Sequence, residues 1–286
     1  MNFDDWLARA WRAHADDPAG VAAEAAATGL GLATSDAQLA ALVNLVHHVH
    51  GEHLGQWAGG RQALQQLDAH PASGNASGAA VQRALASLTL CAREPGALDG
   101  LDASARVRAA AMAAANLAAR DTARAQQLFE QALAESGPLP DTDPCMRALA
   151  VTGNNLACTL EEKPDRSGDE RALMILAAQT TRRCWALAGT WLETERAEYR
   201  LAMSWLAAGD AAQARQHAQA CLDIVQAHDG AALERFFAWE ALARVARAAG
   251  AADDLAQART AAEAAFAGLD EGDRGWCRPS LDALRA

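Results

Sequence analysis

The stretch Arg196–Leu222, RAEYRLAMSWLAAGDAAQARQHAQACL, restricts the fold more than any other part of the chain. Leu201, Ala202 and Trp205 recur at helical spacing before Ala208-Gly209-Asp210; Ala214, Ala218, Cys221 and Leu222 do so after it. The stretch therefore reads as two amphipathic helices joined by a tight turn. Small residues stand where the paired helices must touch, so their axes can lie close together.

The pattern repeats. The first-helix signature appears as Met112-Ala113…Asn116, Leu156-Ala157…Leu160, Leu201-Ala202…Trp205 and Leu242-Ala243…Ala246, at spacings of 44, 45 and 41 residues. The second-helix signature appears as Ala125…Phe129…Ala132-Leu133, Ala177…Thr181…Cys184-Trp185, Ala214…Ala218…Cys221-Leu222 and Ala258…Ala262…Ala265-Phe266. Its first spacing is stretched by the insertion EKPDRSGDE at 162–170. Two signatures with one period predict a stack of helix pairs.

These residues resemble the tetratricopeptide repeat, W-x2-L-G-x2-Y…A-x3-F…P. Trp239…Leu242-Ala243…Ala246 follows its first half, and Ala125…Phe129 and Ala214…Ala218 its second. The junctions Gly209-Asp210 and Arg120-Asp121 match the usual turn between helices. A period above 34 residues is similar to the long-helix relatives in the kinesin light chain and bacterial transcription activators, with Asn154-Asn155-Leu156-Ala157 in the first helix. The resemblance covers roughly residues 104–270 and implies an all-α, right-handed α–α superhelix, a tetratricopeptide-like solenoid. A HEAT or armadillo stack, with a period of roughly 40–47 residues, is the rival architecture.

A single helical-repeat domain over residues 1–286 is expected, irregular over 1–103 and closed by a cap at 275–286. In the irregular part, residues 36–54 and 56–69 form a plausible pair and 79–93 a further helix of unclear partner. Pro71–Gly78 reads as a flexible loop, Pro138–Pro144 as a rigid one, and Gly29-Leu30-Gly31 as a turn.

Half of the residues are hydrophobic, with Ala dominant and aromatics only 5%, and the scarcity of Val, Ile and Thr argues against an extensive sheet. A formal charge of −11 disfavours nucleic-acid binding. The N-terminus lacks the apolar segment of a signal peptide, and no window reaches 18 uninterrupted apolar residues, so no membrane association and a cytoplasmic location are expected. Six Cys without a CxxC pair point to reduced, buried thiols.

Three groups of residues could carry function. Along Val46–His53, an α-helix places His47, His50 and His53 on one shallow spiral and turns His48 away. With Glu52 that set could gather a transition metal, but HExxH is absent, so packing is preferred and neither metal nor cofactor is expected. Asn154 and Asn155 are poor helix formers inside a helix. The resemblance implies that Asn in this region faces the groove and holds a peptide backbone. Arg196, Tyr199 and Arg200 lean the same way, with Phe237, Glu240, Arg244 and Arg247 on the matching side of the next first helix. The competing reading is solvated Arg paired with Glu. Lys163 is the only Lys, which excludes the two-Lys carboxylate clamp of chaperone-tail binders. Trp57, Trp185, Trp205 and Trp239 read as wedges between helices.

The expected function is a protein- or peptide-binding scaffold without catalysis of its own. Its partner would be a protein or peptide, an acidic or carboxylate-bearing segment suiting the arginines, and such a scaffold is also open to homodimerisation. A regulatory sensor of a small signal is the alternative, and a metal-dependent enzyme using His47–His53 a distant third.

Overall fold

The computed structural model describes residues 1–285. Helix makes up 79% of the chain, and no strand occurs among the described residues. We number the helices α1 (Phe3–Ala13), α2 (18–32), α3 (36–54), α4 (Trp57–Asp68), α5 (Asn75–Cys91), α6 (Ala103–Leu117), α7 (Thr122–Ser136), α8 (Pro144–Glu162), α9 (Gly168–Ala188), α10 (Trp191–Ala207), α11 (Ala211–Ala227), α12 (Ala232–Ala248), α13 (Ala252–Ala267) and α14 (Glu271–Arg285). Neighbouring helices pack in the manner of a helical solenoid. The chain divides into two compact units, residues 1–145 and 146–286.

Gly209-Asp210 shows how a helix pair is joined. Gly209 takes the left-handed conformation (φ 85°), which costs a residue without a Cβ little, and the Asp210 amide donates back to the Trp205 carbonyl at 2.9 Å. The Asp210 side chain then accepts from the Gln213 amide at 2.9 Å and starts α11. Asp121 caps α7 in the same way, through the Arg124 amide.

In the second unit α9 packs on α10, α10 on α11, α11 on α12 and α12 on α13, while α10 also touches α12. The second-helix signatures line the seams. Ala177, Thr181 and Cys184 of α9, Ala214, Ala218 and Cys221 of α11, and Ala258 and Ala262 of α13 are all buried. So are Ala157, Leu201, Ala202, Ala243 and Ala246 on the first helices. The closest approach is at Gly153. A Cβ built there would stand 2.6 Å from the Ala177 carbonyl oxygen and 2.7 Å from Thr181 Oγ1, and Thr181 Oγ1 donates across the seam to the Ala150 carbonyl at 3.1 Å. Gly153 therefore does not break α8; it lets α9 come close.

Polar groups fasten the same helices. Glu198 of α10 accepts from Arg182 of α9 and pairs with His217 of α11, both at 2.7 Å. Burial works against its charge, but these hydrogen bonds win and hold its carboxyl below the usual range. Within the insertion, Arg166 donates to the Leu160 and Glu161 carbonyls of α8 at 2.8 and 2.7 Å and to Ala207 of α10 at 2.9 Å. One guanidinium thus satisfies the open carbonyls of two helix ends. The last helix, α14, adds Cys277, Leu281 and Leu284 to a core with Phe236 and Phe266.

In the first unit, Trp6, Leu39, Leu42, Leu45, Leu64 and Leu88 form a shared core. Here α5 packs against α3, α4 and α6, which supplies its missing partner. The loop expected over Pro71–Gly78 is shorter than its composition suggests, because Asp36 of α3 holds the start of α5. Its carboxylate accepts from the amides of Gly74, Ala76 and Ser77 at 3.0, 2.9 and 2.8 Å. Bonds from Ser77, followed by Ala76 and Gly74, hold the Asp36 carboxyl down to about 2. Gly29-Leu30-Gly31 is likewise not a turn. It lies in α2 at the end of a π-helical turn, Ala25–Gly29, where a Cβ on Gly29 would meet the Trp6 ring at 2.4 Å. A second π-helical turn, Val49–Leu54, ends α3.

If the α8–α9 seam is as tight as Gly153 indicates, Gly153→Ala will destabilise the second unit by about 1–3 kcal/mol, the usual cost of overpacking. Gly275→Ala, in α14 with open space around it, will instead be neutral or stabilising by up to about 1 kcal/mol. Urea unfolding followed by circular dichroism distinguishes the two.

Candidate functional site

The second unit carries a groove of about 610 Å³. Helix α10 supplies Glu195, Arg196, Tyr199 and Arg200, two adjacent pairs one turn apart that form a single face. Helix α12 contributes Leu233, Glu234 and Phe237, α8 contributes Asn154, and α14 contributes Trp276. The groove joins an apolar side to a polar one. Trp276 is 64% exposed, with its ring 5.0 Å from that of Phe237, and Phe237 stands edge-on to Tyr199 at 5.7 Å.

The polar side is already charge-matched. Arg196 pairs with Glu234 at 3.2 Å. Arg200 pairs with Glu161 and donates to Asn154 Oδ1 at 3.3 Å, and Ser204 donates to Glu161 at 2.5 Å. Behind them the Tyr199 hydroxyl donates to Glu240 at 3.0 Å, and Glu240 also holds Arg244. Burial pushes the Tyr199 hydroxyl and the Glu240 carboxyl upward, and the Arg244 guanidinium opposes the rise of Glu240. Among the described residues, the hydrogen-bond partner of Glu195 is Cys221, whose thiol donates to it at 2.9 Å. Burial raises Glu195 to about 7, with the Cys221 bond pulling the other way.

Of the residues expected on this wall, Asn154, Arg196, Tyr199, Arg200 and Phe237 line the groove together. Asn155 is exposed outside the lining and accepts from Asn154 at 3.2 Å. Glu240 lies fully buried beneath Tyr199, with Arg244 bound to it. Arg247 turns away altogether, donating to the Ala283 and Leu284 carbonyls at the end of α14 at 2.7 and 2.8 Å. Trp276, Leu233, Glu195 and Glu234 were not foreseen. Leu233 stands one helical turn before Phe237, a legible signal; Trp276 sits on a helix outside the repeat and carries none.

The histidines of α3 separate. His47 is buried, its Nε2 3.0 Å from Ser87 Oγ and 3.2 Å from Asn116 Nδ2; burial holds it neutral, lowering it to about 4. His50 lies over Gly60 of α4, which is packing. His53 meets not these two but His48, Nε2 to Nε2 at 3.1 Å. The reason is the π-helical turn, whose longer hydrogen-bond step brings residues five apart onto one face. His48, which α-helical spacing turns away, is thereby brought in. The His14 ring completes the group, 4.9 Å from His48 and 5.0 Å from His53.

Comparison with family models, curated proteins and solved structures finds no match.

The raised Glu195 fixes a sign. Its folded pKa lies above the unfolded value of 4.5, so the native state binds the proton more tightly. That contribution is complete at low pH and is lost as pH climbs from about 4.5 through about 7. Relative to Glu195→Gln, the natural chain will lose on the order of 1–3 kcal/mol between pH 5 and pH 8. Denaturant midpoints of the two proteins that run parallel across this range would contradict the assignment.

Proposed function

We propose that the second unit is a right-handed α–α superhelix of tetratricopeptide type whose groove binds a peptide segment of a protein partner through a large apolar side chain. The observation that carries this reading is the exposed Trp276 ring against Phe237, on the rim of a groove whose other side offers amide and guanidinium groups. Exposed aromatic surface of this kind marks interaction sites, and a peptide anchored there would gain its affinity from burial of that surface. Asn154 offers its amide to the peptide backbone, and Arg200, next to it, offers a remaining guanidinium N–H.

The charge matching bears on the kind of peptide. Arg196 and Arg200 each face a carboxylate, and Glu195 and Glu234 share the lining. An acidic or carboxylate-bearing segment would have to displace an existing ion pair, so a segment uncharged around its anchor suits the groove better. The buried thiols of Cys184, Cys221 and Cys277 suit a reducing cytoplasmic setting. No helix among the described residues is long and apolar enough to cross a membrane.

Selection from a displayed peptide library on the immobilised full chain, followed by calorimetric titration of the enriched peptides, tests the proposal. Enriched sequences should share one large apolar residue. Phe237→Ala and Trp276→Ala should each weaken binding by about 1–3 kcal/mol, while Asn155→Ala, outside the lining, should leave it unchanged. Absence of a common anchor, or affinity indifferent to Phe237 and Trp276, would move binding off this groove.

A further inference from the structure

We propose that His14, His48 and His53 form a binding site for a single first-row transition-metal ion, Zn²⁺ first among them, in the first unit and independent of the groove. One ring nitrogen from each residue lies within 4.8 Å of the other two. The His48 and His53 Nε2 atoms stand 3.1 Å apart. Two nitrogens on one tetrahedral zinc, each about 2.0–2.1 Å from the metal, are separated by about 3.3 Å. A pair is therefore already at ligand spacing, and His14 offers the third nitrogen within 4.8 Å of both.

The rings are held from behind as metal-binding imidazoles are. His14 Nδ1 is 2.5 Å from the Trp11 carbonyl oxygen, and His48 Nδ1 is 3.0 Å from the Glu52 carboxylate. Both partners accept, so each fixes the proton on Nδ1 and leaves the Nε2 lone pair free, which on His48 faces His53. The Glu52 carboxylate also supplies a negative charge one residue from His53. No thiolate takes part, and a set of imidazoles alone suits zinc, copper or nickel rather than magnesium or calcium. Three protein ligands leave a fourth position for water.

The register that makes the site is itself fixed. The π-helical turn brings His48 and His53 together, and Gly51 within it lies against the Asn116 side chain so closely that a Cβ would fall 2.2 Å from Asn116 Oδ1. Arg120 holds the same turn, donating to the carbonyls of Glu52 and His53 at 2.8 Å each. Its guanidinium, whose positive charge acts on His53, points at carbonyl oxygens. With His14 at the end of α1 and the other two on α3, a bound ion would tie the two helices together.

Untagged full-length protein, stripped with a chelator and titrated with Zn²⁺ against a chromophoric competitor, should take up one ion per chain. His14→Ala and His53→Ala should each weaken uptake at least a hundredfold. Glu52→Gln, which removes the support behind His48 and the negative charge beside His53, should weaken it about ten- to a hundredfold. His50→Ala, outside the cluster, should leave it unchanged. Co²⁺ bound to the natural protein should give the intense visible bands of four-coordinate cobalt, a readout that does not depend on any variant folding. Failure to bind one equivalent, six-coordinate cobalt bands, or uptake that survives loss of His14 and His53 in folded protein would each overturn the site.

Discussion

The distance between helix backbones at small residues governs this molecule. Ala, Gly, Thr and Cys occupy the seam positions, and at Gly153 the neighbouring backbone carbonyl is so near that even a methyl group has no room. Helices this close bury little side chain per residue, so many such contacts must add up, and interior packing makes each sensitive to a single added carbon. Side chains of Asp121 and Asp210 satisfy amides at helix starts, while the carbonyls at helix ends need donors from elsewhere. Arginines reaching from adjoining segments take that role: Arg120 at the end of α3, Arg166 at the ends of α8 and α10, and Arg247 at the end of α14.

That division of labour decides what the groove can do. An arginine on an exposed helix looks available for an anion when only spacing is considered. Here Arg247 closes a helix, Arg244 neutralises buried Glu240, and Arg196 and Arg200 face carboxylates. What remains unmatched is apolar: Trp276, Phe237 and Leu233, beside one carboxyl, Glu195, that burial has brought near neutrality. The groove is thus organised around an apolar anchor rather than around charge.

Much of the scaffold was legible because its signal is local and periodic. Every quoted repeat signature falls on a helix, and Gly209-Asp210 ends one helix and starts the next as its chemistry requires. The pair at residues 36–54 and 56–69 appears as α3 and α4. The site was harder to read, since it depends on contacts distant in sequence. Asp36 starts α5 nearly forty residues away, Trp276 reaches Phe237 from outside the repeat, and Arg247 finds carbonyls on the last helix. The histidines show a different limit. The α-helical period groups His47, His50 and His53, whereas the π-helical turn, invisible to that period, sets His53 beside His48, and His14 joins them from the end of α1.

The seams can be examined directly through the thiols they contain. Cys184 and Cys221 occupy equivalent signature positions and are fully buried, as is Cys277, whereas Cys158 is half-buried. Burial raises the thiols of Cys158, Cys184, Cys221 and Cys277, Cys184 to about 11, so reagent access and thiolate formation are both suppressed on the seams. Alkylation of native protein, resolved by peptide mass spectrometry, should modify Cys158 first and leave Cys184, Cys221 and Cys277 untouched until denaturant unfolds the chain. Prompt modification of Cys184 and Cys221 in the native state would show that the helices are not closed on their small residues.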